Sequence, residues 1–118
     1  MTYVTGMAVP VPAAKKAEYI AGSERSWPLF QRAGALEMKE CWGTDVPEGV
    51  LTSFPMAVKK EPDEVVVLSW ILWPGKAEAE ACFAAMESDP AWAEVFAAGM
   101  PFDGKRMIHG GFEVVVSR

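Results

Sequence analysis

The chain has 118 residues, 51% of them hydrophobic, a formal net charge of −5 and a pI of about 4.8. This length and composition predict a single packed domain spanning residues 1–118 rather than a disordered chain. The acidic balance argues against a general nucleic-acid binder, which needs a basic face, and the longest apolar stretch is too short to cross a membrane as a helix.

The first third of the chain is predicted to form a strand, a helix and a second strand. The first strand runs from Tyr3 to Val9 and ends at two prolines. Residues 14–33 carry apolar side chains at three- and four-residue steps, which is typical of a helix, and Pro28 should bend that helix because it removes one backbone donor. Residues 35–42 then alternate as a second strand.

The rest of the chain repeats this order after a long connection. Residues 43–63 are rich in Gly, Pro and acidic residues, and they form either a short helix after Thr52 or an extension of the sheet. Residues 64–73 are the clearest strand, because they are almost entirely apolar and end at Pro-Gly. The remaining predicted elements are a helix over 76–88, a short helix after Pro90 and a last strand over 106–116.

The order of elements, β-α-β-β-α-β, predicts the fold class. The simplest fold with this order is an α+β fold of the ferredoxin-like type, a four-stranded antiparallel sheet with the helices on one face. A β-bulge at Gly110-Gly111 would change which residues of the last strand share a face.

The third strand is apolar on both faces, so we expect a partner on the face that the helices leave open. The face expected beneath the helices holds Val4, Ala8, Leu36, Met38, Val66, Leu68, Trp70, Leu72, Ile108, Phe112 and Val114. The opposite face holds Tyr3, Thr5, Met7, Glu37, Lys39, Cys41, Val65, Val67, Ser69, Ile71, Trp73, Met107, His109, Glu113 and Val115. Two copies joined through the second face would form a homodimer with a ligand cavity between the two sheets.

Three segments of the chain resemble the DUF1428 family of bacterial proteins. The resemblance lies in Glu40-Cys41-Trp42-Gly43 with Asp45-Val46-Pro47 and Gly49, in Ser69-Trp70, and in Pro101-Phe102-Asp103-Gly104-Lys105-Arg106-Met107-Ile108 with Gly110-Gly111-Phe112-Glu113. It implies a dimeric α/β barrel, which supports the homodimer, and it supplies no activity. More distantly, that superfamily includes antibiotic-biosynthesis-type monooxygenases, which oxidise small aromatic molecules without metal or flavin.

Two side chains are candidates for catalysis. His109 is the single histidine of the chain, and an imidazole in the cavity would serve as a general base. Cys41 lies two residues from Lys39, whose positive charge would favour a thiolate. The structural alternatives are a satisfied strand histidine and a small buried hydrophobe, and we regard these as the better explanation of each.

By the same reasoning, ligand binding is assigned to the face opposite the predicted helices and to the turn before the last strand. The candidate residues are Tyr3, Lys39, Ser69, Trp73, His109 and Arg106. Arg106 alternatively pairs with an acidic residue across the dimer. No metal or cofactor is expected, because the cysteines, histidine and loop carboxylates match no ligand spacing.

The function that follows is a cytoplasmic homodimer that binds a small apolar or aromatic compound. The absence of a disulfide framework and of a signal peptide favours the cytoplasm. Whether the protein is an enzyme stays open. It is either a cofactor-independent monooxygenase-like enzyme or a non-catalytic dimer that binds a metabolite or a protein. RNA binding is disfavoured, because the aromatic and basic motif of RNA-recognition domains is missing.

Overall fold

The computed structural model describes residues 1–118. Its four strands are β1 (Tyr3–Pro12), β2 (Glu37–Trp42), β3 (Glu64–Trp73) and β4 (Ile108–Glu113). Its four helices are α1 (Lys16–Arg32), α2 (Phe54–Ala57), α3 (Lys76–Ala85) and α4 (Pro90–Ala98). Short 3₁₀ turns at Ala13–Lys15 and Gly104–Arg106 join β1 to α1 and lead into β4.

The four strands form one antiparallel sheet in the order β2-β3-β1-β4. The two central strands pair along their whole length, from Tyr3 opposite Trp73 to Pro12 opposite Glu64. Helices α1 and α3 each lie in a connection between two parallel strands that are not neighbours in the sheet. Such connections are right-handed, and this puts both helices on the same face. The predicted ferredoxin-like α+β fold is therefore confirmed.

On β1, β3 and β4 the helices cover the opposite face of the sheet from the one predicted, whereas Met38 of β2 lies beneath the helices as predicted. The core beneath them contains Val67, Ile71 and Trp73 of β3, whereas Leu68 on the other face is 40% exposed. Alternation could not choose between the faces because β3 is apolar on both. On the helix side, Trp73 meets Phe30 of α1 edge to face at 6.2 Å.

The faces of the second strand are offset by one residue, relative to those of β3, from the prediction. Met38 pairs with Ile71 and Glu40 with Ser69, so Met38 and Glu40 lie on the helix-covered face. Lys39 and Cys41, which were predicted to share a face with Ser69, lie on the opposite face of the sheet from it. A one-residue change of register moves every side chain of a strand to the other face, and hydrophobic alternation within one strand does not fix its register against a neighbour.

The structure decides between the alternatives that the sequence left for the last strand and for the connection over residues 43–63. β4 pairs continuously with β1 from Ile108 opposite Ala8 to Glu113 opposite Tyr3, so there is no bulge at Gly110-Gly111. It is also shorter than the predicted strand over 106–116. The connection contains the short helix α2, whose first turn is capped by the Ser53 hydroxyl accepting from the Met56 backbone N–H.

Candidate functional site

A cleft of about 570 Å³ lies on the helix-covered face, between α3 and the β1–β4 edge of the sheet. Its walls are mainly apolar. Its lining comprises Tyr3, Thr5 and Met7 of β1, Ala79, Glu80 and Phe83 of α3, Met86 just after α3, and Met107, His109, Gly110 and Gly111 at β4. A concave, mostly apolar site with a few polar groups is typical of small-molecule binding.

The position of Tyr3 in this cleft depends on a glycine. Tyr3 and Gly111 lie on neighbouring strands, and a Cβ atom at position 111 would overlap the Tyr3 hydroxyl. The bare backbone of Gly111 therefore leaves room for the tyrosine ring to lie across the edge strand. This fixes the phenol at one end of the cleft.

His109 lies in the same wall of the cleft as Tyr3. It is paired with Met7 of β1 and is exposed, and neither His109 nor Tyr3 makes a side-chain hydrogen bond within the chain. An imidazole and a phenol without internal partners are available to hydrogen-bond a bound molecule. The cleft can thus hold an apolar body and orient one polar substituent.

Two other predicted ligand-binding residues are internal. Trp73 is fully buried and donates its indole N–H to the Thr5 hydroxyl at 3.1 Å, so it supports the cleft from behind. Ser69 is also buried, and its hydroxyl donates to the carboxylate of Glu40. The structure brings together Tyr3 and His109 of the predicted set and places these two outside the cleft.

Glu40 is the acceptor at the centre of a polar cluster that the sequence analysis missed. Its carboxylate accepts from the hydroxyls of Tyr19 at 2.9 Å, Ser23 at 2.7 Å and Ser69. Burial, and then the negative charge of Glu40, raise the pKa of Tyr19 above its ordinary value. The cluster joins α1 to β2 and β3, and only the register of β2 would have revealed it.

Arg106 is engaged within its own chain. Its guanidinium donates to both carboxylate oxygens of Glu64 at 2.7 Å, and it also contacts Asp103 and the backbone carbonyl of Lys59 at 3.0 Å. These bonds hold the pKa of Glu64 below its ordinary value, chiefly through the hydrogen bond from Arg106. The residue predicted to bind a ligand or a partner's carboxylate instead ties the turn before β4 to the start of β3.

The face of the sheet opposite α1 and α3 is covered only in part, where Val58 just after α2 packs on Ala8 and Val66. The rest of this face carries an exposed apolar surface, which we call the open face. Its exposed members include Leu68, Ile108 (43% exposed) and Phe112 (59%), with Phe54 of α2 beside them. The ring of Phe112 lies over the paired glycines Gly6 and Gly110, where an added Cβ would be 3.3 Å from it. The candidates Lys39 and Cys41 are on this face too.

No three side chains among histidine, cysteine, aspartate and glutamate lie close enough together to hold a metal ion. No helix combines the length and the apolar character needed to cross a membrane.

Solved structures share this fold at low sequence identity. The cofactor-independent oxygenase SnoaB from Streptomyces nogalater matches 98% of this chain and 95% of its own, with a TM-score of 0.62 and 14% identity. A dimeric ferredoxin-like protein from an uncultured marine organism matches all of both chains, with a TM-score of 0.59 and 12% identity. A NIPSNAP domain protein from Burkholderia xenovorans has a TM-score of 0.60. At these identities the likeness shows the fold alone.

The sequence itself has much nearer relatives. The uncharacterized protein YbaA of Escherichia coli K12 is 51% identical over 116 residues, which are 98% of each chain, and YbaA of Shigella flexneri matches equally. The profile of the protein family of unknown function DUF1428 matches residues 2–104. The chain therefore belongs to the DUF1428 family.

Proposed function

We propose that the protein is a homodimer in which the cleft of each chain binds a small, mainly apolar organic compound. The observation that carries the proposal is the lining of the cleft. Apolar side chains from β1 and α3, together with Met86 and Met107, line a cleft of about 570 Å³. The phenol of Tyr3 and the imidazole of His109, neither of which has a hydrogen-bond partner within the chain, lie in one wall of it. This differs from the cavity expected between two sheets, because the cleft lies between sheet and helix within one chain.

The open face supports the dimer. Large apolar side chains such as Leu68 and Phe112 are left exposed on it, and a contiguous apolar patch of this kind is typical of an interface. A second copy of the same surface is a chemically matched cover. A stable dimer buries roughly 800 Å² per chain, which is the area that this interface is expected to bury. One structural neighbour is described as dimeric.

Nuclear magnetic resonance of chains with ¹³C-labelled methionine methyls tests the binding site, with 2-naphthol as the probe. Met7, Met86 and Met107 line the cleft, whereas Met38, Met56 and Met100 lie outside it and act as internal controls. We expect saturable shifts in the first three signals. Shifts confined to Met56, which lies on α2 beside the open face, or no shifts at all, would reject the cleft as the site.

An enzymatic version of the same function is favoured by the position of His109. A base at the cleft wall would remove a proton from an acidic CH₂ group of a bound aromatic ketone, and the resulting carbanion would react with O₂. One oxygen atom enters the product as a carbonyl in place of the CH₂ group, and the other leaves in water with its two hydrogens. SnoaB is described as an oxygenase of the cofactor-independent kind.

Oxygen uptake with 2-tetralone tests that reaction. We expect the metal-free protein to consume O₂ together with the ketone, and His109→Gln to slow the reaction by about 100-fold, because general-base catalysis contributes at least that much. An equal rate in His109→Gln, or no uptake by the unchanged protein while 2-naphthol still binds, would leave a binding protein without this activity.

A further inference from the structure

The cleft also contains a set of soft donor atoms, the thioether sulfurs of methionine, together with an imidazole. Three of the seven methionines and the single histidine line it. From this juxtaposition we propose a binding site for monovalent copper, formed by the thioethers of Met7 and Met107 and the imidazole of His109, with Met86 as a further ligand. The proposal goes beyond the binding of an organic compound and does not depend on it.

The register of the sheet places two of these donors side by side, and a third lies next to them. Met7 of β1 pairs directly with His109 of β4. Paired residues on adjacent strands lie within about 5.5 Å of each other at Cα. Met107 immediately precedes β4, has an extended backbone and lines the same cleft. The three side chains therefore lie at neighbouring positions in one cleft.

The fourth donor comes from the opposite wall. Met86 follows the last turn of α3 and lines the cleft across from the sheet. A methionine has three rotatable bonds and a polarizable sulfur, so it can adjust its position to a bound ion. Two walls that each supply thioether sulfur can enclose an ion, which a row of methionines on one surface cannot do.

The donor types select the metal. Thioethers are soft ligands that favour Cu(I), whereas Mg²⁺ and Ca²⁺ require several oxygen ligands and Zn²⁺ prefers cysteine, histidine and carboxylate. Glu80 is the single carboxylate of the lining. His109 makes no side-chain hydrogen bond within the chain, so either of its ring nitrogens can bind the metal.

Competition with bicinchoninate under anaerobic, reducing conditions tests the site with Cu(I) alone. The measurement uses the Cys41→Ser/Cys82→Ala double variant, because the two free thiols would otherwise bind copper themselves. We expect one Cu(I) per chain and a sulfur shell in X-ray absorption. In that background, Met107→Leu and His109→Gln should each lower the affinity at least about tenfold, while Met100→Leu, outside the cleft, should leave it unchanged.

Several results would overturn the proposal. These are failure of the double variant to compete with bicinchoninate, an equal loss of affinity in Met100→Leu, or an absorption spectrum without sulfur. Thermal unfolding of each variant shows whether it is folded, and Met7→Leu repeats the test at a second position if Met107→Leu is not. The 2-naphthol titration without copper reports on the organic ligand separately, so the two proposals can fail independently.

Discussion

At the scale of single residues, the Arg106–Glu64 pair is the most buried ion pair of the chain. Glu64 is buried, and Arg106 satisfies both of its carboxylate oxygens. A buried carboxylate that loses its partner is left with an uncompensated charge. We therefore predict that Arg106→Gln lowers the free energy of unfolding by about 3 kcal/mol, measured by urea denaturation. The exposed Lys76–Glu80 pair is the control, and Lys76→Gln should change stability by less than about 0.5 kcal/mol.

The same pair predicts a pH dependence. Arg106 lowers the pKa of Glu64 in the folded chain, so the pair stabilises the fold above the pKa of Glu64 in the unfolded chain. That stability is lost as the pH falls through the folded-state pKa, where Glu64 takes up a proton. The difference between the unchanged protein and Arg106→Gln should therefore be full at neutral pH and shrink below about pH 4. A difference that grows in acid contradicts this assignment.

The lack of a side chain at Gly111 determines where the Tyr3 ring lies in the cleft. Because a Cβ at this position would overlap the Tyr3 hydroxyl, Gly111→Ala must move the tyrosine ring. We predict about tenfold weaker 2-naphthol binding in this variant, the equivalent of one lost hydrogen bond of about 1.4 kcal/mol, measured by the methionine NMR titration. Gly104→Ala has ordinary space around the added methyl group and serves as the control. Equal affinities in the two variants would mean that Tyr3 does not contact the probe.

At the scale of elements, Glu40 fastens the first helix to the sheet. Removing its carboxylate leaves three buried hydroxyls, on Tyr19, Ser23 and Ser69, without their acceptor. Glu40→Ala should cost about 2 kcal/mol of stability, since water can reach the exposed edge strand and replace part of the bonding. Glu40→Gln keeps one carbonyl acceptor and should cost less. If the two variants are equally stable in urea, the hydroxyl contacts contribute nothing measurable.

The positions of elements were predictable, and their relative registers were not. Proline and glycine bracket β3 and periodic apolar residues mark α1 and α3, so local patterns revealed the order of elements. The pairing of β2 with β3 depends on contacts between distant residues, and the alternation within β2 fits both registers. That one-residue shift hid the link between Glu40 and Ser69 and misplaced Lys39 and Cys41. Arg106 was misassigned for a related reason, because Glu64 lies far from it in sequence.

At the scale of the whole molecule, the two faces of the sheet have separate roles in this account. The helix-covered face contains the cleft, and the open face is the proposed dimer interface. The sequence predicted that one face needs a partner, because β3 is apolar on both sides. It could not predict which face, since this depends on where the aromatic residues of α1 and α4 pack. Tyr3 and His109 were nevertheless assigned to one shared face, and the structure brings them into one cleft.

Light scattering after size exclusion, at micromolar concentration, tests this division of roles most directly. Phe112 on the open face and Phe96 on α4 are similarly exposed, at 59% and 53%, so Phe112→Glu and Phe96→Glu form a matched pair. We predict twice the chain mass of 12.9 kDa for the unchanged protein and for Phe96→Glu, and the mass of a single chain for Phe112→Glu. A monomeric unchanged protein, or a dimer that survives Phe112→Glu and is lost in Phe96→Glu, would contradict it.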